Sequence, residues 1–210
     1  MVLKAGLQLM REVFAAHSGL SKDISADAPT MVTTAGDVLE TSVMQKVSLN
    51  DDQEPWISGN AEVYAVVNGV SAERVEPILD IVDMPYLDED GKTYYPNQIM
   101  VYWDRYRWAV ADMIIMEHDD NTNYKDLALA LLDAAGAILR ATPDPTVQGY
   151  SVIPPITSGI IKAMPDGWFS NDDDYVDVFY TILKDTTYTN RYGASGNAKM
   201  TLAPLNINAN

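Results

Sequence analysis

The stretch at residues 171–183 joins an acidic cluster directly to an apolar segment of strand length. Asp172, Asp173 and Asp174 are adjacent, and residues 175–183 are mostly apolar. Carboxylates at contact distance repel one another by roughly 1 kcal/mol in water, and by more where apolar neighbours exclude solvent. A hard divalent cation reverses that repulsion, and calcium binds through oxygen ligands of this kind. The stretch therefore predicts a β-strand beside a calcium site.

Two further acidic loops border apolar segments, one before residues 61–67 and one after residues 109–116. Aspartate and asparagine also form turns by themselves, and Asp126 lies near a helix start, where a negative charge is favoured. Because all three acidic loops lie beside apolar segments, the sequence predicts at least one calcium site. The candidate ligands are Asp51, Asp52, Glu54, Glu117, Asp119, Asp120, Asn121, Asp126, Asp172, Asp173 and Asp174.

Short apolar segments separated by turn residues favour a mainly β fold. The strand candidates are residues 38–47, 61–67, 78–82, 99–103, 109–116, 171–183 and 198–205. Helical spacing of apolar residues predicts helices at 2–16 and 124–140, and a short helix at 156–164. We therefore predict an antiparallel β-sandwich with helices added at the N-terminus and after residue 123. Because a sandwich gathers its loops at two ends, distant acidic loops can converge.

The domain organisation follows from a change of character near residue 49. Residues 1–48 are predicted to form the N-terminal helix and an irregular lead-in, and residues 49–210 the sandwich domain. Two local features carry further predictions. The run Asp88-Glu89-Asp90-Gly91 predicts a hairpin turn. Asp177 alternates with apolar neighbours, so we expect it on a solvent-exposed face.

Charge and composition limit the partners. The formal net charge of −16 argues against nucleic acid or an anionic membrane as a direct partner. The absence of cysteine excludes disulfides and thiolate chemistry. No apolar run reaches the roughly 18 residues of a transmembrane segment. Lys4, Arg11 and Glu12 interrupt the N-terminal segment, so no signal peptide is expected within the sequence.

Several functions remain open. We expect a calcium-binding module with a binding or structural role; a metal-assisted hydrolase of glycans or peptides would use the same carboxylates. No G-x-S-x-G elbow, phosphate loop or dinucleotide fingerprint is present, which favours a non-enzymatic role. A surface polymer, a lipid or a protein could contact Trp56, Trp168 and Phe169 beside the acidic loops. The aromatic residues at 94–108 form either core pairs or a binding platform.

Two resemblances add to these expectations. The segment MEHDDN at 116–121, with Asp126, resembles the calcium loops of C2 domains. A longer set of strings resembles an uncharacterised family of bacterial exported proteins with members in Vibrio: WISGNAEVYA at 56–65, DMPYL at 83–87, YYPNQ at 94–98, EHDDN at 117–121 and NDDDYVDVFY at 171–180.

The second resemblance covers about residues 50–205 and leaves residues 1–48 outside. It implies an extracellular or cell-envelope location, with the acidic positions as calcium ligands, and no established activity. The first is local, and the helix after Asp126 departs from a plain C2 sandwich.

Overall fold

The computed structural model describes residues 38–51, 63–73, 75–117, 124–164 and 175–208. The helix predicted at residues 2–16 lies outside these ranges. The strands are β1 Val38–Leu49, β2 Tyr64–Val70, β3 Pro77–Asp83, β4 Thr93–Tyr94, β5 Gln98–Tyr102, β6 Val110–Met116, β7 Tyr175–Leu183, β8 Tyr188–Tyr192 and β9 Ala198–Asn208. The α-helices are α1 Tyr124–Ala141, α2 Pro145–Gln148 and α3 Ile153–Ala163, and short 3-10 turns occupy Trp103–Arg105, Arg107–Ala109 and Gly149–Val152.

The strands form two antiparallel sheets. Sheet A has the order β4-β1-β9-β8, with β5 also paired to β1, and sheet B has the order β3-β2-β6-β7. The longest pairing joins β1 to β9 along their whole lengths. The predicted domain boundary at residue 48 falls inside β1, so the strand that begins at Val38 forms part of sheet A.

One hydrophobic core lies between the two sheets. Met44 and Leu202 contribute to it from sheet A, and Met113 and Phe179 contribute from sheet B. Each of these four side chains is almost completely buried. The shared core confirms a mainly β fold built from two antiparallel sheets.

A layer of helices covers the other face of sheet B. Leu131 of α1 and Ile156 of α3 pack in one cluster with Val66 and Ile114 of the sheet. Because helices cover one face and sheet A the other, all seven residues of both β2 and β6 are buried. A continuous apolar run is typical of a strand buried on both faces. None of the described helices is both long and apolar enough to cross a membrane.

One local prediction is wrong, and one strand was missed. The turn at residues 88–91 does form, with Gly91 at a φ of 68°, but it connects β3 of sheet B to β4 of sheet A. It is therefore a crossing between sheets, and the hairpin prediction is wrong. Strand β8 was not predicted, because its exposed, polar sequence at the edge of sheet A lacks an apolar alternation.

Candidate functional site at the acidic end

The described residues that flank the three acidic loops lie at one end of the two sheets. In sheet B, Met116 at the end of β6 pairs with Tyr64 at the start of β2. Met116 also pairs with Tyr175, the first residue of β7. The loops that enter β2, leave β6 and enter β7 therefore attach at the same end of the strands of sheet B. We call this end of sheet B, together with the adjoining end of β1, the acidic end.

Asn197 ties sheet A to the same end. Asn197 lies in the connection between β8 and β9. Its side chain lies beside Asp51 at the end of β1, where the backbone N–H of Asp51 donates to Asn197 Oδ1 at 2.9 Å. Asn197 Nδ2 donates to the carbonyl oxygens of Asp51 at 2.8 Å and of Val176 at 3.3 Å. Val176 belongs to β7 of sheet B. One amide side chain therefore connects the flanks of the first and third acidic loops.

The predicted ligands are only partly described. Asp51 is exposed at the end of β1, and Glu117 directly follows β6 with 2% of its surface exposed. Asp126 is the third residue of α1, and its side chain lies outside the described part. The remaining candidates also lie outside it: Asp52, Glu54, Asp119, Asp120, Asn121, Asp172, Asp173 and Asp174. Within the described ranges, no three His, Asp or Glu side chains are grouped so that they could hold a metal ion.

Asp177 is fully buried, so the prediction of a solvent-exposed position is wrong. Its carboxylate accepts three backbone N–H groups, from Val178 at 2.8 Å, Ser195 at 2.9 Å and Ala198 at 2.8 Å. The connection between β8 and β9 thus folds over this carboxylate. Gly193 lies against it so closely that a Cβ atom there would overlap the Asp177 carboxylate.

A second polar group, missed by the sequence reasoning, lies beneath α3. Thr157 Oγ1 lies 2.6 Å from Asp112 Oδ2 and 3.0 Å from Asn68 Oδ1. Asp112 Oδ1 also accepts the backbone N–H of Thr181 at 2.6 Å. Burial raises the pKa of Asp112 above its ordinary value, against the opposing effects of these hydrogen bonds. The sequence signal that could have indicated this group is one polar residue in each of two apolar segments. These residues are Asn68 of β2 and Asp112 of β6, which pair in the sheet.

An aromatic groove of about 520 Å³ lies on the β3 side of the acidic end. The rings of Tyr86 and Tyr94 have centroids 6.0 Å apart, and Tyr95 is 69% exposed. Tyr86 donates to Gln98 Oε1 at 2.6 Å, and Gln98 Nε2 donates to the Asp83 carbonyl oxygen at 2.8 Å. Of the aromatic residues weighed as a platform, those at 94 and 95 line this groove, whereas those at 103 and 106 lie in the inter-sheet core.

Comparison with known proteins places the chain in a family. A family model described as "Protein of unknown function (DUF3103)" matches residues 1–210. The chain belongs to this family. The match confirms the expectation of an uncharacterised family and extends it over residues 1–48. No curated protein and no solved structure matches the chain.

Proposed function

We propose that the protein is a calcium-binding module whose acidic loops meet at the acidic end. The observation that supports this best is the convergence of the loop flanks: Tyr64, Met116 and Tyr175 are paired side by side, and Asp51 is hydrogen-bonded through Asn197 to Val176. Because the flanks of the three loops lie at one end, carboxylates from different parts of the sequence can approach one another there. A calcium ion takes six to eight oxygens in flexible geometry, which such loops can supply.

The described residues fit an oxygen-ligated cation in their chemistry. Asp51 and Glu117 carry carboxylates on loop flanks, and neither sulfur nor imidazole is among the candidate ligands. The predicted ligands in the loops would complete the set. Bound calcium would supply positive charge that offsets the mutual repulsion of these carboxylates. Its role in this proposal is to stabilise the loops for a binding or structural function.

The test compares the melting temperature of the full chain in chelator with that in millimolar calcium. If calcium binds only the native state, a free calcium concentration of 100 times Kd raises the free energy of unfolding by about 2.7 kcal/mol. For a chain of this size that corresponds to a rise of about 5–10 °C. Equal melting temperatures in chelator and calcium would overturn the proposal.

Two variants localise the effect. Glu117→Gln at the acidic end should reduce the calcium-induced rise. Glu73→Gln, which alters an exposed acid just beyond the opposite end of β2, should leave it unchanged. An equal loss in both variants would show that calcium acts through general charge screening.

The finer predictions belong to this proposal. Export to the cell envelope or outside the cell, bacterial origin and a C2-like strand connection follow from the resemblances alone. A surface polymer, a lipid or a protein remain the partner classes for a calcium-loaded acidic end. The hydrolase alternative predicts turnover of glycans or peptides that is lost in chelator, whereas a binding module predicts none.

A further inference from the structure

Sheet A carries an apolar patch on the face that points away from the inter-sheet core. Met44 and Leu202 are opposite each other and point into the core. Because side chains alternate along a strand, their neighbours point outward. We define the outer patch as Leu39, Val43, Ile99, Tyr102, Leu205 and Ile207, which the register of β1 with β5 and β9 brings together.

The centre of the outer patch is buried, and its rim is partly exposed. At the centre, Val43 and the adjacent Thr41 are 7% and 1% exposed. At the rim, Tyr102, Leu205 and Ile207 are 39%, 40% and 38% exposed. A contiguous apolar area with this distribution is typical of a surface that another element covers.

The described helices do not account for this cover. α1 contacts β3, and α3 contacts β2, β6 and β7, all of them strands of sheet B. Sheet B is thus covered on both faces, whereas none of the described α-helices forms a layer on sheet A. The half of the outer face nearer the acidic end is polar: Lys46 Nζ donates to Asn190 at 3.1 Å, and Lys199 lies over the Tyr192 ring at 5.0 Å. The apolar area is therefore bounded on that side.

The chain before β1 supplies a complementary apolar surface. Leu3, Leu7, Met10 and Phe14 recur at helical spacing in the sequence. β1 begins at Val38, next to Leu39 of the outer patch, so the preceding chain joins the sheet at the edge of the patch. At about 3.3 Å per residue, the intervening residues 17–37 are long enough to reach across it. Tethering gives such a segment a millimolar effective concentration, which favours it over a second copy of the chain.

We propose that residues 2–16 pack their apolar side chains on the outer patch of sheet A. This gives sheet A a covering element equivalent to the helices on sheet B. The proposal is independent of calcium binding, since none of the candidate ligands belongs to the patch.

The absence of cysteine allows a direct test in the full chain. A variant that combines Leu7→Cys with Ile207→Cys is treated with a short bismaleimide and digested for mass spectrometry. We expect an intramolecular cross-link between the two peptides. The matched control combines Leu7→Cys with Tyr150→Cys, which lies on an exposed position at 58% in the helical part of the chain, and should not cross-link. Equal cross-linking in both variants, or none in either, would overturn the proposal.

A second measurement separates an intramolecular contact from self-association. In Leu205→Cys, the thiol should react with maleimide several times faster when Phe14→Asp is added, while the far-UV circular dichroism stays unchanged. An unchanged labelling rate would contradict the proposal. A cross-link found only between two chains would show that a second copy covers the patch and would likewise overturn it.

Discussion

Two buried aspartates of sheet B, one near the acidic end and one in the middle of β3, are stabilised in different ways. Asp177 near the acidic end accepts backbone N–H groups of Val178, Ser195 and Ala198. Asp80, the middle residue of β3, lies 2.6 Å from the Arg105 guanidinium and accepts the hydroxyl of Tyr106 at 2.7 Å. The first carboxylate is satisfied by dipoles and the second by a cation and a phenol.

This difference bears on where the charge of the protein is neutralised. Backbone N–H groups satisfy a carboxylate without cancelling its charge, whereas Arg105 cancels that of Asp80. Lys184 pairs with Glu40 at the end opposite the acidic loops. At the acidic end, Asp177 lies near the flanks of three stretches that are acidic in sequence, and a cation from solution would offset such charge. The comparison therefore agrees with the proposed calcium site, and the following variants test it.

Gly193→Ala should have the largest effect. Its new methyl group would overlap the Asp177 carboxylate and displace the connection between β8 and β9. We expect a loss of about 3 kcal/mol in the free energy of unfolding, the upper range for overpacking a buried site, measured by urea denaturation. Gly136→Ala is the control, because there the Cβ meets the far end of the Arg140 side chain at 2.9 Å, which can move. Equal stabilities of the two variants would show that the connection between β8 and β9 can move away from the Asp177 carboxylate at little cost.

Asp177→Asn and Asp80→Asn separate the two modes of stabilisation. An amide at 177 can accept only through its oxygen, so at least one buried N–H would face an NH₂ group. We expect a loss of about 3 kcal/mol for this variant. At position 80 the amide oxygen can still accept from Tyr106, and Arg105 is 42% exposed and can be hydrated. The loss there should be nearer 1 kcal/mol. The reverse order in chemical denaturation would contradict the comparison.

The smallest effect concerns the pH dependence of stability. Burial raises the pKa of Asp80 above 3.8, despite the opposing effects of Arg105 and Tyr106. A raised pKa in the folded state means that folded Asp80 binds its proton more tightly than unfolded Asp80 does. The stabilisation that this proton gives the folded state is therefore complete below pH 3.8 and is lost as the pH rises through the pKa of the folded state. The stability of the wild type relative to Asp80→Asn should therefore fall with rising pH. Denaturation curves of both proteins across acidic pH measure this difference, and a rise would refute the assignment.

The sequence predicted the elements whose signal is local. The apolar run of β6 and the 3.6-residue periodicity of α1 are properties of neighbouring residues, and both elements lie where expected. The sequence also showed that the acidic stretches border apolar strands, and the described flanks of the three stretches lie at one end of the sheets. The assignment of calcium to them remains a prediction, since most candidate ligands lie outside the described residues.

The sequence alone established which segments are apolar, where turns interrupt them and which loops are acidic. Only the tertiary structure decided the environment of each polar side chain. Asp177 alternates with apolar neighbours in the sequence, which is typical of an exposed residue. In the structure it is buried, because β7 has a bulge in its pairing with β6 and the connection between β8 and β9 folds over the carboxylate. Likewise, Gly91 marks a turn in either case, and the assignment of β3 and β4 to different sheets made it a crossing. The physical reason is that burial and strand partners depend on residues distant in sequence, which no local pattern contains.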